Sequence, residues 1–130
     1  MIGLDTNVLL RFFLQDDLDQ SARAAALMSS FSLREPGFIS AVTLAESVWV
    51  LESFYHKPKQ EVAFFVRGLL ESQQLVVENH DAVAQALRRF EGSNADFADC
   101  LIERLCGSAG CTRTMTFDLN ASKVSGMVLL

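Results

Sequence analysis

Four carboxylates stand out by position: Asp5 in MIGLDTNVLL, Glu46 in TLAESVWVL, Asp99 in NADFADCLI and Asp118 in RTMTFDLN. Asp and Glu without His or Cys form a hard-oxygen donor set, which suits Mg²⁺ or Mn²⁺ rather than Zn²⁺. Crowded around such an ion, carboxylates orient and deprotonate a water and offset charge on a phosphodiester as its P–O bond breaks. Each acid also has a plainer reading. Asp5 and Asp118 stand where a side chain caps a helix, and Asp96 lies in a first turn, where the helix dipole alone favours an acid. Asp99, three residues from Asp96, shares its helix face, and like charges there repel unless a cation or hydrogen bonds compensate. Glu46 sits amid Val42, Leu44, Ala45, Val48, Trp49 and Val50, a window in which burying a carboxylate is costly unless it is paired or metal-bound.

The elements that must position these acids alternate. Ile2, Gly3 and Leu4 read as a short strand, and Val8, Leu9, Phe12 and Phe13 follow at helical spacing, so Asp5 falls at the hinge. Residues 17–31 carry Leu18, Ala22, Ala25, Leu27 and Met28 on a second helix, ended by the turn Arg34-Glu35-Pro36-Gly37. Residues 37–40 are a second strand, and Ser40 caps a helix to about Tyr55. Pro58 fits the first turn of a helix over 59–71. Residues 74–78 read as a third strand, 81–91 as a helix, Asn94 as the cap of a helix over 95–108, 113–117 as a fourth strand and 127–129 as a fifth. Asn120 and Ser122 read as turn residues. Strands alternating with helices predict a parallel sheet with helices on both faces. In such a sheet ligands bind beyond the carboxyl ends of the strands, where Asp5 and Asp118 belong and which Glu46 and Asp99 can reach.

The 130 residues predict a single domain over 1–130. Half of them are hydrophobic and ten are Phe, which leaves apolar surface for a partner and predicts a dimer or a complex. No apolar run approaches the roughly 18 residues of a membrane span, and the N-terminus lacks the pattern of a secretory signal, so the expected location is cytoplasmic. Cys100, Cys106 and Cys111 have no paired C-x-x-C spacing, and His56 and His80 lie far from them, which argues against a zinc site. A net charge of −5 excludes nucleic-acid binding through a general basic surface. Any such work is local or metal-mediated, with Arg11, Arg88, Arg89, Arg104 and Arg113 as candidate phosphate contacts.

The blocks IGLDTNVLLRFFLQDD, SAVTLAESVWVL, NADFADCLIERLCGSAGC and TMTFDLNASKVSGMVLL, in this order, resemble PIN-domain nucleases, and among them the VapC toxins of toxin–antitoxin pairs. The resemblance implies a Rossmann-like, three-layer α/β/α fold with a central parallel sheet of about four to five short strands. It implies an Mg²⁺- or Mn²⁺-dependent endoribonuclease whose acidic site falls on Asp5, Glu46, Asp99 and Asp118, with Asp96 as an additional acid. Thr6, Asn7 and Thr116 match the supporting polar positions. It also implies an RNA substrate, a homodimer and a small VapB-like antitoxin. Two rival classes remain: a PIN scaffold kept for binding, its acids serving as caps, and a metal-dependent phosphatase, which a D-x-D pair would favour over the D-T-N found here.

Overall fold

The shortest apolar runs of the sequence become its strands, and capped periodic segments become its helices. The computed structural model describes residues 1–130, which divide into two compact units, Met1–Glu78 and Asn79–Leu130.

In the first unit three strands, β1 (Ile2–Gly3), β2 (Gly37–Ile39) and β3 (Leu75–Val77), pair in parallel in the order β1-β2-β3. Ile2 stands opposite Gly37, and Gly37 opposite Leu75. Parallel pairing requires long crossovers, supplied by α1 (Thr6–Leu14) with α2 (Leu18–Ser30), then by α3 (Ala41–Ser53) with α4 (Lys59–Glu71). Each start has a local cause. Asp17 accepts the N–H of Gln20 at 2.8 Å to open α2, and Ser40 accepts that of Thr43 at 3.1 Å to open α3. Pro58 stands immediately before α4. Leu44, Val48 and Leu51 repeat at helical spacing and face inward, Leu51 with no exposed surface; burying such a side chain contributes about 1.5–3 kcal/mol. Gly37 is required by a close approach: a Cβ there would lie 2.6 Å from the ring of Phe31 and 2.9 Å from Leu75 Cδ2.

In the second unit α5 (His80–Gly92) buries Ala82, Val83, Ala86, Leu87 and Phe90, and packs on α6 (Phe97–Ser108) through an edge-to-face contact of Phe90 with Phe97 at 5.6 Å. After α6 come β4 (Met115–Thr116), α7 (Leu119–Val124) and β5 (Val128–Leu129). β4 and β5 pair in parallel.

The chain is α/β with parallel strands, as expected, and has seven helices where the sequence predicts six. Its five strands do not form one hydrogen-bonded sheet. Strands of two residues have few ladder bonds to give, and β4 spends them on β5, where Thr114 O accepts from Val128 N and Thr116 O from Leu130 N. Two local expectations are corrected. α6 starts at Phe97, with Asp96 rather than Asn94 at its N-cap, because the Ser93 hydroxyl accepts the N–H of Ala95 and holds that segment as a turn. Asn120 and Ser122 lie within α7 rather than in a turn, because Asp118 caps that helix.

Candidate functional site

The parallel strands of the first unit end together, and their carboxyl ends carry Asp5, Ser40 and Glu78. Asp5 is the N-cap of α1: its Oδ1 accepts the backbone N–H of Thr6 at 2.8 Å. Thr6 is 7% exposed, and its hydroxyl donates to Glu46 Oε1. One threonine therefore holds both acids, the first through its backbone and the second through its side chain. Glu46 itself is exposed rather than buried among its apolar neighbours. The inner face of α3 is taken by Leu44, Ser47, Val48 and Leu51, while Val42 and Trp49, 78% and 64% exposed, share the outer surface with it. Asn7 is exposed and lines a groove of about 390 Å³ between α1 and α2.

The carboxyl edge of this sheet holds two groups that sequence reasoning passed over. Glu78 Oε1 accepts the N–H of Ala41 at 2.8 Å, fastening the start of α3 to the end of β3. The Thr43 hydroxyl donates to the carbonyl of Leu4 at 3.4 Å, tying α3 to the chain just before Asp5. The signal for Glu78 was its place at the end of the third strand, matching that of Asp5 after the first.

In the second unit three acids feel one another's charge. Burial pushes the Asp99 carboxyl above its ordinary range, and the negative charges of Asp96 and then Asp118 push it further. Asp96 occupies the N-cap of α6 yet makes no side-chain capping bond. Asp118 caps α7 through Oδ1, which accepts the N–H of Ala121 at 3.0 Å. Thr116 supports Asp118 through the main chain: its hydroxyl accepts the Asp118 N–H at 2.9 Å and leaves the carboxylate alone.

Asp5, Thr6 and Glu46 are thus joined in one unit, and Asp96, Asp99 and Asp118 are electrostatically coupled in the other. Three or more His, Cys, Asp or Glu side chains are nowhere gathered into a ready-made metal cage. The donor chemistry nevertheless fits a hard cation. Every candidate is a carboxylate, Asp99 experiences like charge, and Mg²⁺ keeps several of its waters and takes only one or two direct carboxylates. Of the candidate phosphate contacts, Arg11 is engaged by Asp16 at 3.1 Å and by Gln20 at 2.7 Å, and Arg104 pairs with Glu103. Arg88, Arg89 and Arg113 are exposed.

Residues 2–127 match the family described as PIN domain. The chain belongs to the PIN domain family. The match spans nearly all of the sequence and carries the nuclease fold, since PIN domains are generally metal-dependent nucleases. No curated protein matches the chain. No helix of this PIN domain is long and apolar enough to cross a membrane.

Proposed function

We propose that this PIN domain, acting as a single domain over 1–130, is an Mg²⁺- or Mn²⁺-dependent endoribonuclease and the toxin of a VapBC-type pair. The observation that carries this reading is the match of residues 2–127 to the PIN domain family; beside it, burial and then the charges of Asp96 and Asp118 raise the Asp99 carboxyl, and a divalent cation relieves such opposed charges. The proposed ligands, directly or through water, are Asp5 and Glu46 in the first unit and Asp99 and Asp118 in the second, with Asp96 as an additional acid. A cation bound there would neutralise phosphodiester charge and lower the pKa of an attacking water. Thr6 orients Asp5 and Glu46 through the two bonds described above, the role that outer hydrogen bonds play around metal ligands. Thr116 fixes the backbone that carries Asp118, and Asn7, exposed beside Thr6, is the other proposed supporting residue after Asp5.

Two surfaces support the partner assignments. An apolar groove of about 370 Å³ in the first unit, lined by Phe12, Phe13, Phe31, Phe64, Phe65 and Leu69, suits an amphipathic antitoxin segment. The net charge of −5 attracts a basic one. The exposed Val42 and Trp49 of α3 supply apolar area for a homodimer. In this reading the protein works in the cytoplasm. The rival, a PIN scaffold kept for binding, draws on the capping bonds of Asp5 and Asp118, but capping does not account for the charge gathered around Asp99.

The test is cleavage of a labelled total-RNA pool by purified, partner-free protein with Mg²⁺ or Mn²⁺, with EDTA, and with Asp5→Asn prepared identically. Metal-dependent cutting that disappears in the variant is expected. Equal cutting by the variant would point to a contaminant or to the wrong residue, and no cutting by a folded, metal-loaded wild type favours a narrow substrate or the binding scaffold.

A further inference from the structure

Helix α6 ends in the sequence Cys106-Gly-Ser-Ala-Gly-Cys111. Gly110 adopts φ +97°, the left-handed conformation in which a glycine stops a helix. Around it run two hydrogen bonds of 3.0 Å, from Gly110 N to Gly107 O and from Cys111 N to Cys106 O. A 5→2 bond inside a 6→1 bond defines a Schellman cap, in which the side chains at the two ends of the longer bond typically touch. Here those two ends are both cysteines. Both thiols are free, Cys106 half-buried and Cys111 exposed. The Cys111 N–H on the Cys106 carbonyl brings the two backbones into contact, and a disulfide spans Cα separations of roughly 4.4–6.8 Å.

We propose that Cys106 and Cys111 form a dithiol modification site that closes to an intramolecular disulfide when a hydroperoxide oxidises it. The exposed Cys111 sulfur attacks the peroxide, the O–O bond breaks, and a sulfenic acid forms with release of water or an alcohol. Cys106 Sγ then attacks Cys111 Sγ. The S–S bond forms as the S–O bond breaks, and the departing hydroxide leaves as water with the proton of Cys106. Two thiols are oxidised by two electrons and one peroxide is reduced. The bond staples the last turn of α6, the helix whose first turn bears Asp99. Cys100, on the same helix, is fully buried, so it stays a spectator. The inference stands independently of the nuclease reading.

The experiment treats the full chain with stoichiometric hydrogen peroxide, counts thiols after denaturation, and maps tryptic peptides without reduction. The expected result is loss of two of the three thiols, with the peptide Leu105–Arg113 two hydrogens lighter and resistant to alkylation. The chain should stay single on a non-reducing gel and regain its thiols with dithiothreitol. Its unfolding midpoint should rise by a few degrees on oxidation, a rise that Cys111→Ser and Cys106→Ser abolish while their circular dichroism stays that of wild type. Two such peptides joined between chains, a bond involving Cys100, or sulfinic acid on Cys111 with Cys106 still alkylatable would each overturn the proposal.

Discussion

The two units hold their acids by different means: in Met1–Glu78 Asp5 and Glu46 are tied to the protein through the two donors of Thr6, whereas in Asn79–Leu130 burial, and then the charges of Asp96 and Asp118, raise the proton affinity of Asp99. Hydrogen bonds fix the direction of a carboxylate; neighbouring carboxylates disfavour its charged form. The first arrangement is complete as it stands. The second is short of positive charge, and so is the part of the chain that a cation should stabilise most.

That contrast is broken or sharpened by substitutions that act on one side of it. The largest effect is expected from Asp99→Asn, which should lower metal-dependent RNA cleavage by more than about 100-fold, beyond the usual cost of losing an outer-sphere partner, while leaving the protein at least as stable at neutral pH. A variant that lost activity and stability together would show that Asp99 is structural. Next in size, Mg²⁺ at about 100 times its Kd should stabilise wild type by about 2.7 kcal/mol. Chemical denaturation with and without the ion measures it, and Asp99→Asn should lose most of the gain. Thr6→Val keeps the side-chain volume and removes only the hydroxyl; it should cost about 1 kcal/mol and lower kcat about 10-fold or more through a misplaced Glu46. A Thr6→Val enzyme as active as wild type would detach Glu46 from the chemistry.

The smallest effect is one of pH. The folded Asp99 carboxyl lies above its ordinary 3.8, so between that value and its raised one the folded chain binds more protons than the unfolded chain. Its contribution therefore falls as pH rises through this window and recovers on acidification. Relative to wild type, Asp99→Asn should gain about 0.5 kcal/mol above the window, the size of a like-charge pair on a helix, and nothing below it. Urea melts at matched pH values would measure the difference.

The sequence was most legible where two local signals agreed. Pro58 followed by a regular apolar stripe predicts α4 over 59–71, and those are its bounds. It was least legible where a local signal had a competitor. Asn94 and Asp96 are both good cap residues, and the choice fell to a hydroxyl one residue before Asn94. α7 spans six residues, too few to show a period. Glu46 looked buried because the exposed face of α3 is itself apolar at Val42 and Trp49, so average hydrophobicity did not report which way one side chain pointed. The acids of each unit were legible as residue types. Their hydrogen-bonding company was not, since the bond from Thr6 to Glu46 joins positions 40 apart in the chain.

Position 37 carries a consequence for how this sequence can vary. The ring of Phe31, itself largely buried, and Leu75 Cδ2 stand where any side chain at Gly37 would begin. Alanine would act there as a wedge, displacing an aromatic ring from one side and the β3 neighbour from the other. Gly37 stands opposite Ile2 of β1, the strand that leads into Asp5. A saturation library selected only for activity should therefore reject nearly every residue at 37, as firmly as at the acids, and a catalogue of intolerant positions would mistake this small gap in the packing for a part of the chemistry.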